Sequence, residues 1–227
     1  MRSGQRQVVS NHWHTEKTNI KIESKVMANN LKSFITVKGN EEVVKLVDSL
    51  IDKVNESKDD GVVAFATTFY DDVELSEDGG SVINTWSYDN IGTKWTTFCD
   101  MIDEAEFSIE SASYPPTKFF IHLYNLCVKV DENVEIEVTY EDETYSPVGA
   151  VIIKGGLNGD DEKEGYIWVE EDDSLEDPTV DKEWDDEDYD EVQMEFAESV
   201  YDKQQELLDE CRRLVETDGE SIDEYEG

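Results

Sequence analysis

Charge is spread so unevenly along this chain that it limits where a core can form. Residues 1–26 carry a net of +3, residues 27–158 a net of −16, and residues 159–227 a net of −25. Like charge works against compaction. The compact part is therefore expected at 29–156, behind a basic arm or non-native start at 1–28. Residues 157–227 then read as an acidic hairpin, an amphipathic helix and a short tail. The chain still holds 37% hydrophobic and 10% aromatic residues, enough for one sizeable core.

Some environments are excluded at once. Cys99, Cys127 and Cys211 stand far apart and are odd in number, which fits free thiols in a reducing compartment. No run approaches the roughly 20 apolar residues of a membrane span. Residues 1–26 have no apolar stretch of the secretory kind. The expected location is the cytoplasm, with no membrane partner.

Leu31–Lys38 is rich in strand formers and ends at Gly39-Asn40. Asn40, Glu41 and Glu42 then suit a helix start, and Val43, Val47, Leu50 and Val54 recur at helical spacing. Gly61–Phe69 is an apolar segment that fits a strand or a short helix. Val82–Trp86 and Thr93–Trp95 read as strands, and Thr96–Ala105 as a short helix with Phe98, Ile102 and Ala105 on one face. Glu106–Ser113 alternates as a strand. Pro115-Pro116 closes that strand and opens a helix bearing Phe119, Phe120, Leu123, Tyr124 and Cys127. Val134, Ile136 and Val138 alternate with Glu135, Glu137 and Thr139, the pattern of a half-buried strand. Val148–Lys154 and Tyr166–Val169 read as a hairpin. Residues 188–216 contain no Pro or Gly, and their stripe of Val192, Phe196, Val200, Leu207, Cys211 and Leu214 is diluted by Lys203 and Gln204. That stripe fits either the protein's own core or a second subunit, so a monomer and a homodimer through the last helix both stay open.

The order strand, helix, strand, strand, helix, strand is the split βαβ plan. With Trp86, Gly92-Thr93-Lys94-Trp95, Tyr114-Pro115-Pro116 and Gly149 in this sequence order, residues 29–156 resemble the YubB-type ferredoxin-like domain family of phage and plasmid proteins. The resemblance implies an α+β ferredoxin-like sandwich of mobile-element origin and no established activity. Asn29-Asn30-Leu31 and Ile91 depart from the family's usual residues. Taken alone, Trp95 reads as a core side chain and the two prolines as a strand stop.

Motifs of catalysis are missing. No nucleophile elbow, metalloprotease helix, phosphate loop or dinucleotide fingerprint is present, and no cofactor is expected. Asp160, Glu162, Glu164 and Glu171 fall at positions 1, 3, 5 and 12 of a calcium-loop outline, with Gly165 at 6. Glu in place of short Asp or Asn at 3 and 5, and strands on both sides, depart from that pattern, so an acidic hairpin turn and no metal is the expected reading. His12 and His14 lack further ligands, and His122 sits on a helix near Phe119 and Leu123.

Three readings of the acidity remain. Carboxylates such as Glu170, Glu171, Asp172 and Asp173, or Asp185, Asp186, Glu187 and Asp188, can stand in for phosphates and occupy a basic DNA- or RNA-binding protein of the host. They can instead serve only the solubility of an accessory or structural interaction protein. Adaptation to high salt is opposed by 15 Lys against four Arg. Direct nucleic-acid binding is opposed by the net charge.

Overall fold

The computed structural model describes residues 29–145, 147–155, 165–175, 178 and 186–223. β1 (Asn30–Lys38) leads into α1 (Glu41–Glu56), whose start is fixed by Asn40. The Asn40 side chain accepts hydrogen bonds from the backbone N–H groups of Glu42 and Val43. α2 (Gly61–Phe69) is capped in the same way by Asp60. Then follow α3 (Asn84–Asn90), β2 (Thr96–Asp103), β3 (Glu106–Ala112), α4 (Thr117–Cys127) and β4 (Glu135–Asp142). The chain adds β5 (Val148–Gly155), β6 (Gly165–Asp172) and α5 (Asp186–Asp223).

The six strands form one antiparallel sheet in the order β2-β3-β1-β4-β5-β6. Its first four positions, with α1 and α4 as the crossovers, are the ferredoxin-like split βαβ plan. β5 and β6 extend the β4 edge, and the sheet runs unbroken from the ferredoxin-like part into the acidic part. The fold is therefore α+β, with an added hairpin and a long C-terminal helix.

Alternation divides the side chains between two faces. Leu31, Ile35, Val37, Phe107, Ile109, Ile136, Val138, Val151 and Ile153 join α1, α2 and α4 in the main core. Val148, Ala150 and Ile152 point the other way and meet Phe196, Val200, Leu207, Leu208 and Cys211 of α5. β5 is thus covered on both faces, which explains its continuous apolar run.

Three segments differ from their sequence reading. Val82–Trp86 is not a strand: Val82 makes an isolated bridge with Leu75, and α3 begins at Asn84. Trp86 is buried edge-on against Tyr70, ring centres 5.3 Å apart, so an aromatic with strand propensity finds its burial on a helix. Thr93–Trp95 is a turn. Gly92 takes φ +100°, and the Thr93 hydroxyl donates to the Trp95 carbonyl at 3.0 Å. Thr96–Ala105 is not a helix but β2 and the hairpin turn into β3. Register shifts at Phe98/Asp100 and Met101/Asp103 break the period of two, and the resulting spacing of Phe98, Ile102 and Ala105 imitates a helix face.

Candidate functional site

α5 builds the most distinctive surface. Its 38 residues hold 15 Asp and Glu against three Lys and Arg. At 1.5 Å per residue it is a rod of roughly 57 Å. Glu195, Glu198, Asp202, Glu206, Asp209 and Glu216 are all exposed and recur mostly every three or four residues, which puts them in one line. Glu195, Glu198 and Asp202 meet no cation among the described residues.

The opposite side of α5 holds the rod to the sheet. Phe196, Val200, Leu207, Leu208 and Cys211 are buried on β5, and Phe196 packs edge-on against Tyr145 at 5.3 Å. Polar contacts fix the register. The Arg212 guanidinium donates two parallel hydrogen bonds to Glu137 of β4, at 2.8 and 2.9 Å. Lys38 meets the same carboxylate. Gln204, almost fully buried, donates to Glu141 Oε2 at 3.1 Å, and Lys203 pairs with Asp172 at 3.2 Å. The two residues that dilute the apolar stripe are thus the ones that reach carboxylates of the sheet.

Burial acts on these carboxylates in different directions. It favours the neutral form of Glu137, but the hydrogen bonds and charges of Arg212 and Lys38 outweigh it and hold Glu137 below the usual range. For Glu141 burial wins and raises it, against the hydrogen bond from Gln204 and the charge of Lys32 across the strand pair. The Ser174 hydroxyl, with help from Lys203, keeps Asp172 low.

α5 contacts β4, β5 and β6, leaving the outer faces of β1 and β3 beside it. Between them runs a trough of about 750 Å³, lined by Phe34, Thr36, Ile102, Glu106, Glu141, Tyr145 and Tyr201 among others. Phe34 and Tyr201 did not stand out in the sequence, and Ile102, read there on a helix face with Phe98 and Ala105, is instead an exposed residue of β2. The available signal was phase: Phe34 shares the outward face of β1 with Lys32, Thr36 and Lys38.

The sequence-derived site residues fall in several places. Glu170, Glu171 and Asp172 lie on β6 and Asp173 follows it, while Asp186, Glu187 and Asp188 form the first turn of α5. Asp185 lies outside the described residues. So do Asp160, Glu162 and Glu164 of the calcium-loop outline and His12 and His14. Glu171, the last position of that outline, accepts a hydrogen bond from the Tyr140 hydroxyl at 2.8 Å. Among the described residues, no three His, Cys, Asp or Glu converge as a metal site.

The motif residues converge on structure. Ser87 donates to the Thr93 carbonyl at 2.8 Å, Thr93 and Thr96 share a hydrogen bond at 3.0 Å, and the Phe119 N–H reaches the Ile91 carbonyl at 3.1 Å. This joins α3, the Gly92 turn and the start of α4, beside buried Trp86, while Lys94 is exposed and Trp95 half-buried. Pro115 and Pro116 end the β3 side and lead into α4, and Tyr114 is 70% exposed. Gly149 has a specific cause: a Cβ there would stand 2.2 Å from the Tyr140 ring, which crosses it to reach Glu171.

Comparison with protein families, curated proteins and solved structures finds no match to this chain.

The reactive groups are quiet. Burial and the neighbouring Glu110 push the Cys99 thiol to about 11, and burial pushes Cys127 to about 12. Both are thiols at neutral pH, with little thiolate to act as a nucleophile. His122 stacks on Tyr70 and hydrogen-bonds the Phe69 carbonyl at 2.8 Å, and burial holds it below the usual imidazole range. Among the described residues, no helix is long and apolar enough to cross a membrane.

Proposed function

We propose that this protein performs no chemistry and acts as an acidic binder of a basic, DNA- or RNA-binding host protein in the cytoplasm, occupying that partner's nucleic-acid site. The observation that supports this reading is the seating of α5. Its inward face is fixed by apolar packing and by Arg212 on Glu137, so its outward carboxylates keep their spacing. From Glu195 to Asp209, five carboxylates lie along about 21 Å, or one per roughly 5 Å. One strand of duplex DNA offers a charge about every 3.4 Å along its axis. Glu206 and Asp209 pair with Lys203 and Arg212, while Glu195, Glu198 and Asp202 present their charge from a helix backbone that needs no ordering when the partner arrives.

Pull-down from a host lysate, with the recovered proteins identified, tests the reading. DNA- or RNA-binding proteins should be recovered, then released by added duplex or by about 0.5 M salt, where the Debye length shrinks to a few ångströms. Recovery of only other proteins, unmoved by duplex, leaves the acidity as an aid to solubility and overturns the mimicry.

A further inference from the structure

The trough beside α5 is a second surface with chemistry of its own. Phe34 stands on its floor, and its cross-strand neighbours are Ser108 on one side and Thr139 on the other. Neither neighbour is tall, and on β1 itself the Lys32 ammonium lies over the ring, 5.1 Å from its centre. Ile102 and Tyr201 stand on the two walls, 55% and 60% exposed. Of the nearby cations, Lys38 and Arg212 are both engaged by Glu137, and Lys32 lies over the Phe34 ring and opposite both Glu110 and Glu141. Glu106, by contrast, meets no cation among the described residues, and Glu141 is bonded by the neutral amide of Gln204. The trough is therefore largely apolar at its floor and walls, with one face of Phe34 under Lys32 and more carboxylates than free cations around it.

Sheets of this plan bind RNA by stacking bases on aromatic side chains of this same face. Here Glu106 and Glu110 stand on β3 beside Phe34, and they repel phosphate. A second copy of the chain, at a net of −38, is also repelled. An extended cationic peptide with apolar side chains fits both parts of the lining.

We propose that this trough seats an extended segment of the basic partner, with an arginine or lysine on Glu106 and Glu141 and an apolar side chain on Phe34. The inference rests on the partner being a basic protein, and it adds a short-range anchor to the long-range attraction of α5.

The test uses the full chain and three probes: a decapeptide of alternating Arg and Leu, one of alternating Arg and Gly, and decauridylate. At 0.5 M salt the Arg-Leu peptide should bind at least tenfold more tightly than the Arg-Gly peptide. Phe34→Ala and Ile102→Ser should each weaken it about five- to tenfold. The triple change Glu195→Gln, Glu198→Gln, Asp202→Asn should leave it within twofold. Thermal melting checks each variant, and Ile102→Ser carries the test if Phe34→Ala fails to fold. Equal binding of the two peptides, indifference to both trough variants, or tighter binding of decauridylate overturns the proposal. If the trough variants change nothing but the triple variant loses the natural partner, the trough fails and the reading of α5 stands. If the triple variant keeps the partner as well, the reading of α5 falls with it.

Discussion

The two faces of the sheet are stabilised by different physics. The face under α1, α2 and α4 is almost wholly apolar, with Phe65, Phe69 and Phe119 in mutual ring contact at 4.7–5.0 Å. The face under α5 mixes a small apolar cluster with a buried carboxylate, a buried amide and a two-pronged arginine. Among the described residues it is also only half covered. An apolar face stabilises a fold without choosing a partner. A half-covered face with fixed charges keeps binding capacity that packing has not consumed.

The largest effect is expected on the first face. Phe119→Ala should cost about 3–5 kcal/mol and lower the urea midpoint of the whole chain. If α5 kept its hydrogen-exchange protection after the main core had unfolded, the second face would be independent and the comparison would break.

Gly149→Ala probes the strand pair between the faces. The added methyl collides with the Tyr140 ring, and a cost of about 1–3 kcal/mol is expected. An unchanged melting temperature would show that Tyr140 can swing away from β5.

Glu137→Gln should cost less, about 1–2 kcal/mol, because Arg212 is 41% exposed and partly rehydrates. Its signature is local: exchange should speed up in α5 while α1 and α4 hold. Uniform acceleration across all helices would remove the distinction between the faces.

Acidity should act on the same contact. Glu137 is depressed in the folded state, so its contribution is present above the unfolded value near 4.3 and lost as pH falls through the folded value. Glu141 is raised, so its contribution is present below about 4.3 and lost as pH rises through its folded value. Protection of α5 should therefore peak near the unfolded value of about 4.3 and decline on both sides of it. A maximum at alkaline pH would contradict the sign for Glu141, and a maximum well below about pH 4 the sign for Glu137.

The smallest effect belongs to Tyr114. At 70% exposure, Tyr114→Ala should stay within about 0.5 kcal/mol by denaturant unfolding. A larger loss would reveal a packing role for the Tyr-Pro-Pro turn.

The first face was the more legible in the sequence. Val43, Val47, Leu50 and Val54 mark α1 by period, Asn40 marks its cap, and Ile136 and Val138 mark β4 by alternation. Legibility failed where local preference met tertiary demand. β2 hid behind two bulges that erased its period, and Trp86 looked like a strand residue until α3 buried it on Tyr70. For the candidate site, the acidic residues of α5 were visible, but their use was not. Phe34, Ile102 and Tyr201 are far apart in the chain, and nothing local marks them as one wall-and-floor set.

Composition and periodicity by themselves determined the α+β class and the concentration of negative charge at the C-terminal end. These follow from side-chain transfer free energies and chain geometry, which act residue by residue. Only the tertiary structure decided that α5 lies on the outer face of β5 and that Gln204 and Arg212 reach Glu141 and Glu137. It alone also decided that, among the described residues, no helix lies over the strand floor around Phe34. Those outcomes depend on pairing between residues dozens of positions apart, such as Tyr145 with Phe196 and Glu137 with Arg212, which local pattern does not encode.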